Sequence, residues 1–189
     1  MLEKGKYLKT LCVVDPELKN FVGHYYEYDK SLRDISITSG YRFVVLGNKA
    51  VIPDISKELS VENTFSRGIW EPFTLLTFIP VFGWRIEGVF SNFVFFIKLL
   101  TSLSHKRVSS DWTVFCHMLT HRQLLGWVLW LLTFRKRSRP RLVLLFRFSS
   151  SWIDCGLAHI TFRLLKKFKL ENRLVLGTDS KHLSIEHAE

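Results

Sequence analysis

No uncharged stretch of this 189-residue chain approaches the roughly 18 apolar residues a membrane-spanning helix needs. The longest, 72–84, 88–97 and 123–134, stop at Arg85, Lys98 and Arg135, and they read as core segments. The N-terminus carries Glu3, Lys4, Lys6 and Lys9 around few apolar residues, so it lacks the apolar centre of a secretory signal. Cysteine is scarce and odd in number: Cys12, Cys116 and Cys155 form no CxxC pair, which excludes a disulfide scaffold and predicts reduced, buried thiols. Five prolines and ten glycines exclude collagen-like and low-complexity chains. The glycine-rich dinucleotide fingerprint, a P-loop and an HExxH pair are all missing, so no cofactor is expected. These absences predict a cytoplasmic protein.

What is present is apolar residue and positive charge. At 47% hydrophobic and 14% aromatic the chain is too apolar to stay disordered, and its length predicts one compact domain. The net charge is +10, and residues 105–170 alone hold thirteen Lys and Arg against two acidic residues. Two clusters dominate, Arg135, Lys136, Arg137, Arg139 and Arg141, and then Arg163 with Lys166, Lys167 and Lys169. A solvated loop and a basic helix end account for them; the functional alternative is attraction to a polyanion. No helix-turn-helix, RNP-type or zinc-finger spacing appears, and the clusters adjoin apolar helices, so an anionic membrane surface is favoured over nucleic acid.

Strand and helix signals alternate. Apolar, β-branched runs at Tyr7–Val14, Tyr41–Leu46, Trp112–His117, Arg141–Phe148 and Arg173–Gly177 predict strands. Periodic segments at 23–39, 89–103, 120–132 and 152–169 predict helices, the third N-capped by Thr120. Residues 49–87, broken by Pro53, Pro72 and Pro80, predict a partly helical excursion with one short strand near Asn63–Ser66. The fold class is therefore α/β, a Rossmann-like doubly wound, mainly parallel sheet.

Ligands of such sheets bind beyond the carboxyl ends of the strands, so the residues following each strand are candidates. Gly23 and His24 open the first helix, where free N–H groups and the dipole favour an anion and oppose a charged imidazole. A plain turn glycine and a surface or core-edge histidine are the alternatives. His117, His121 and Arg122 follow the strand at 112–117, and Arg147 follows the next. His117 and His121, four apart, would pair on a metal only if one helix carried both; a strand-to-helix boundary divides them, and no metal is expected. These candidate acceptor-binding or phosphate-binding residues are Gly23, His24, His117, His121, Arg122 and Arg147. Alanine at His24, His117 or Arg147 is expected to leave folding nearly intact, because all three are placed outside the core.

The segment LCVVDPELKNFVGHYYEYDKSLRDISITSGYRFVVL, Leu11 to Leu46, resembles the opening of bacterial glycosyltransferases of GT-B architecture, the group 1 type with two facing Rossmann-like domains. The matching positions are Gly23, Glu27, Leu32, Gly40 and Val44-Val45-Leu46, with Gly23-His24 where common members have two glycines. The resemblance implies that residues 1–189 form the N-terminal, acceptor-side domain. It implies a sugar or lipid-linked acceptor as partner, a nucleotide-sugar only with a second domain, and a role in cell-surface polysaccharide or glycolipid synthesis. Residues after Gly177 begin a new segment, so a fragment or one half of a split enzyme, inactive alone, is expected. Residues 135–141 would then hold the protein at the inner face of the cell membrane. A non-catalytic basic module for membrane surfaces is the alternative from another class.

Overall fold

A computed structural model describes residues 9–69, 71, 83–146 and 156–178. Six strands form one all-parallel sheet: β1 (Thr10–Asp15), β2 (Arg42–Asn48), β3 (Val61–Phe65), β4 (Trp112–Leu119), β5 (Arg141–Phe146) and β6 (Leu174–Thr178). Their order is β3-β2-β1-β4-β5-β6, so the sheet is the expected doubly wound, Rossmann-like arrangement with its topological switch between β1 and β4. The crossover helices are α1 (Tyr25–Thr38), α2 (Pro53–Leu59), α3 (Gly83–Ser104), α4 (His121–Leu132) and α5 (Gly156–Lys167), with a 3-10 turn at Glu171–Arg173 before β6.

The predicted excursion at 49–87 resolves, within its described part, into α2, β3 and the first turn of α3. Pro53 stands in the first turn of α2, where a missing N–H costs nothing, so the proline starts this helix instead of breaking it. β4 runs two residues past its predicted end, to Leu119, so His117 stands inside the strand and not at its end. The predicted strand ends at 7–8 and 147–148 and the start of the last predicted helix at 152–155 lie outside the described residues.

Strand pleating divides the core into two layers. Cys12, Val14, Val44, Leu46, Val114 and Cys116 point toward α3, α4 and α5, where Phe95, Leu99, Trp127 and Leu131 cover them. Val13 and Val45 point the other way, onto Tyr26 of α1 and Ile55 and Leu59 of α2. Burying these strands on both faces is why they read as nearly continuous apolar runs. Gly126 lets α3 and α4 meet closely: a Cβ there would stand 2.7 Å from the Asn92 carbonyl oxygen, and the Gly126 N–H donates to Asn92 Oδ1 at 3.0 Å. Cys12 and Cys116 are buried free thiols, as expected, and burial pushes both up to about 12, far from a reactive thiolate. Cys155 lies outside the described residues.

In a parallel sheet every helix-to-strand connection returns to the amino ends of the strands. The connections from α3 to β4, α4 to β5 and α5 to β6 therefore share one end of the molecule, and they carry Lys106 and Arg107, Arg135 to Arg141, and Lys169 to Arg173. Arg135, Lys136, Arg137 and Arg141 are exposed; Arg139 is half-buried, its Nε donating to the Phe134 carbonyl at 3.3 Å. The two basic clusters, separate in sequence, belong to one end. Among the described residues no helix is long and apolar enough to cross a membrane.

Candidate functional site at the switch point

The β1–β4 pairing sets Val13 opposite Phe115, and the same register carried on two residues sets Asp15 opposite His117 on the α1 face. Asp15 ends β1, at the point where the sheet order reverses. From above, α1 lowers Asp29, one turn from its start, onto the same spot. The three side chains are 1%, 0% and 1% exposed for Asp15, Asp29 and His117.

The imidazole stands between two carboxylates. His117 Nε2 donates to Asp29 Oδ1 at 3.1 Å and lies 3.2 Å from Asp15 Oδ2, an ion-pair approach without hydrogen-bond alignment. Tyr28 stacks on the imidazole, its centroid 5.3 Å away at 20°, and Tyr25 and Phe115 flank it at 6.2 and 6.1 Å. Burial pushes the Asp29 carboxyl up to about 7; the hydrogen bond from His117 opposes this and the Asp15 charge adds to it. Burial lowers the imidazole, but its interactions with Asp15 and Asp29 outweigh that and hold it at about 9. The cluster thus keeps protons well above the pH at which free side chains release them. One ligand atom from each residue also lies within 4.8 Å of the others, so the three form a donor set for a small divalent cation that would take the proton's place.

This cluster pins both ends of the loop from β1 to α1. Asp15 Oδ1 accepts from the Glu17 N–H at 2.8 Å, and Asn20 Oδ1 accepts from the Val22 N–H at 2.9 Å, so the loop is braced internally as well. Gly23 has φ +87°, the left-handed region that disfavours other residues, so its glycine is a requirement of the turn. His24 caps α1 with its backbone only and exposes its side chain. Phe21 packs edge-on to Tyr26 at 4.8 Å yet stays half exposed. The loop therefore presents one aromatic face, one imidazole and a helix N-terminus at the carboxyl ends of the strands.

Of the residues predicted for the site, Gly23, His24 and His117 converge around this loop. His117 lies beneath its floor, inside the core, which overturns the expectation that alanine there would spare folding. His121 begins α4, across the boundary from the β4 residue His117, so no single helix carries both. Arg122 follows it in α4, and Arg147 lies outside the described residues. Sequence reasoning misses Asp29, because one carboxylate on a charged helix face resembles any other; its spacing from Tyr25 and Tyr26 carries no signal until β4 is placed beneath it.

No family model matches this chain, and there is no match to it among curated proteins or solved structures.

Proposed function

We propose that this domain is the acceptor-side half of a sugar-transferring enzyme of GT-B type, with the β1–α1 loop as part of its acceptor crevice. The observation that supports it best is the buried His117–Asp29–Asp15 cluster directly under that loop. A large cost is incurred to bury three ionisable groups, and what they fix in place is an exposed, donor-rich loop at the switch point of a doubly wound sheet. A pyranose has an apolar face for Phe21 and hydroxyls for His24, and the α1 N-terminus favours an oxyanion or phosphate beside them. His117 is a positioning residue in this reading; its ring nitrogen faces carboxylates, and it orients the loop without touching the acceptor.

Sugar transfer needs donor and acceptor held together in one oriented cleft. Residues 1–189 alone should therefore transfer nothing from UDP-glucose, UDP-N-acetylglucosamine or GDP-mannose, whereas the same domain joined to a donor-binding domain should. In the joined enzyme His24→Ala is expected to lower transfer about tenfold, the scale of one lost hydrogen bond of about 1.4 kcal/mol, with the circular dichroism spectrum unchanged. Turnover by residues 1–189 alone, or full activity of the His24→Ala enzyme, would defeat this reading.

The basic end supports a second reading, a surface that adsorbs to anionic lipid. The two ends of the molecule are a strand length apart, about 20 Å for six residues. If residues 135–141 lie flat on a bilayer, the crevice opens away from it, so lipid attachment and acceptor capture are separable. Binding to vesicles containing 30% phosphatidylglycerol should fall with added salt. Changing Arg135, Arg137 and Arg141 together to Gln should weaken it about 100-fold, at roughly 1 kcal/mol per cation. Equal sedimentation with neutral phosphatidylcholine vesicles, unaffected by salt, would remove this reading and leave the first intact.

A further inference from the structure

A cavity opens at the carboxyl edge of the sheet on the opposite face from His117. Its volume is about 220 Å³, room for several waters at roughly 30 Å³ each. Pro16 and the loop following β3 form one side; Ser91, Phe95 and Lys98 of α3 form the other; Gln123, in the first turn of α4, closes the end. Gln123 is only 2% exposed, yet neither its amide nitrogen nor its amide oxygen has a hydrogen-bond partner among the described residues. Burying an amide unpaired is costly, and leucine of nearly the same size would remove the cost, so the fold by itself gives no reason for glutamine there.

The walls specify the missing partner. Phe65 and Phe95 stack at 5.7 Å and 15° and offer an apolar surface. Lys98, half-buried on α3, has no ion-pair partner among the described residues. The hydroxyl-bearing residues Ser66 and Ser91 also line the cavity. Lys19 and Glu71 pair with each other at the rim, and Arg67, exposed on the loop after β3, also lines the cavity, so Lys98 is the half-buried cation on the α3 wall.

We infer that this cavity binds a small hydroxyl-rich ring bearing one anionic group, its hydroxyls on the Gln123 amide, its apolar face on Phe65 and Phe95, and its anion on Lys98. Two sources share this chemistry, a sugar phosphate and a uronic acid. Pro16 and Lys19 belong to the first half of the β1–α1 loop, so the cavity adjoins that loop, but the inference rests on Gln123 and Lys98 and not on the acceptor reading.

The test is titration of the chain with glucose 1-phosphate, glucuronate and glucose, read by calorimetry and by thermal melting. Glucose 1-phosphate or glucuronate should bind at least about tenfold more tightly than glucose, and the tighter of the two names the source. Lys98→Met should abolish that preference. Gln123→Leu should weaken binding at least about tenfold while raising the melting temperature of the free protein by about 3 °C, as an unpaired buried amide is removed. A purely structural glutamine would lower the melting temperature when replaced. Failure of all three compounds to bind, unchanged binding in Gln123→Leu, or a lowered melting temperature in that variant would overturn the inference.

Discussion

Replacing His117 with leucine is expected to destabilise the protein by about 3–5 kcal/mol, a large share of what holds an ordinary domain folded. The size follows from what the substitution leaves behind. Asp15 and Asp29 are almost completely buried, and the imidazole is the positive group between them. Without it two carboxylates face each other across an apolar layer, next to the rings of Tyr28 and Phe115 that would no longer have an imidazole to cover. Urea unfolding measures the loss directly, with an unchanged slope showing that stability and not compactness has moved. The double variant Asp29→Leu with His117→Leu should recover part of it, since an ion pair replaced as a unit costs far less than one broken in half. A single-variant loss under about 1 kcal/mol would mean that the carboxylates find other partners and that the cluster does not hold β1 to α1.

Stability should also fall as pH rises from weakly acid to alkaline, opposite in direction to a protein held by carboxylates with lowered pKa. Both perturbed groups are shifted upward: Asp29 from 3.8 to about 7 and His117 from 6.5 to about 9. Each therefore binds its proton more tightly folded than unfolded, and the unfolding free energy decreases with pH wherever the folded state holds the extra proton. For Asp29 that window runs from about pH 4 to about pH 7. For His117 the stabilisation is complete below about pH 6.5 and is lost as pH rises through about 9. By pH 9 to 10 the cluster has released both protons and is two charges more negative than at pH 4. One extra proton held by the folded chain is worth about 1.4 kcal/mol for every pH unit crossed, so the fall between pH 6 and pH 9.5 is on the order of 4 kcal/mol. Urea midpoints measured across this range check it, and the slope should vanish in the variant lacking both Asp29 and His117. A flat profile in the unmodified protein would show that the cluster does not retain its protons.

The alternation of strands and helices is legible along the chain because those signals are local. Val13, Val14, Val44, Val45 and Leu46 are β-branched or apolar in short runs, while the tyrosines and Leu32 of α1 recur at helical spacing, and neither pattern needs a distant residue to be read. The same locality makes 49–87 illegible: α2 is two turns long, β3 is five residues, and Pro53 reads as a breaker until its place at a helix start is known. Charge is legible as two clusters, but that they share an end follows only from every crossover returning to the amino ends of a parallel sheet. The site is legible in half. Gly23 and His24 announce a turn and a helix start, and His117 a strand end, but Asp15, Asp29 and His117 are far apart along the chain. Strand order places β4 beside β1, pleating turns Asp15 and His117 to one face, and α1 must cross that face for Asp29 to reach them. The Gln123 cavity is likewise tertiary, since its walls come from four segments and its one telling feature, an amide without a partner, exists only after everything around it has packed. Local pattern sets the elements; which side chains share a buried volume depends on order, register and face, and these are settled by the energy of the whole packed sheet.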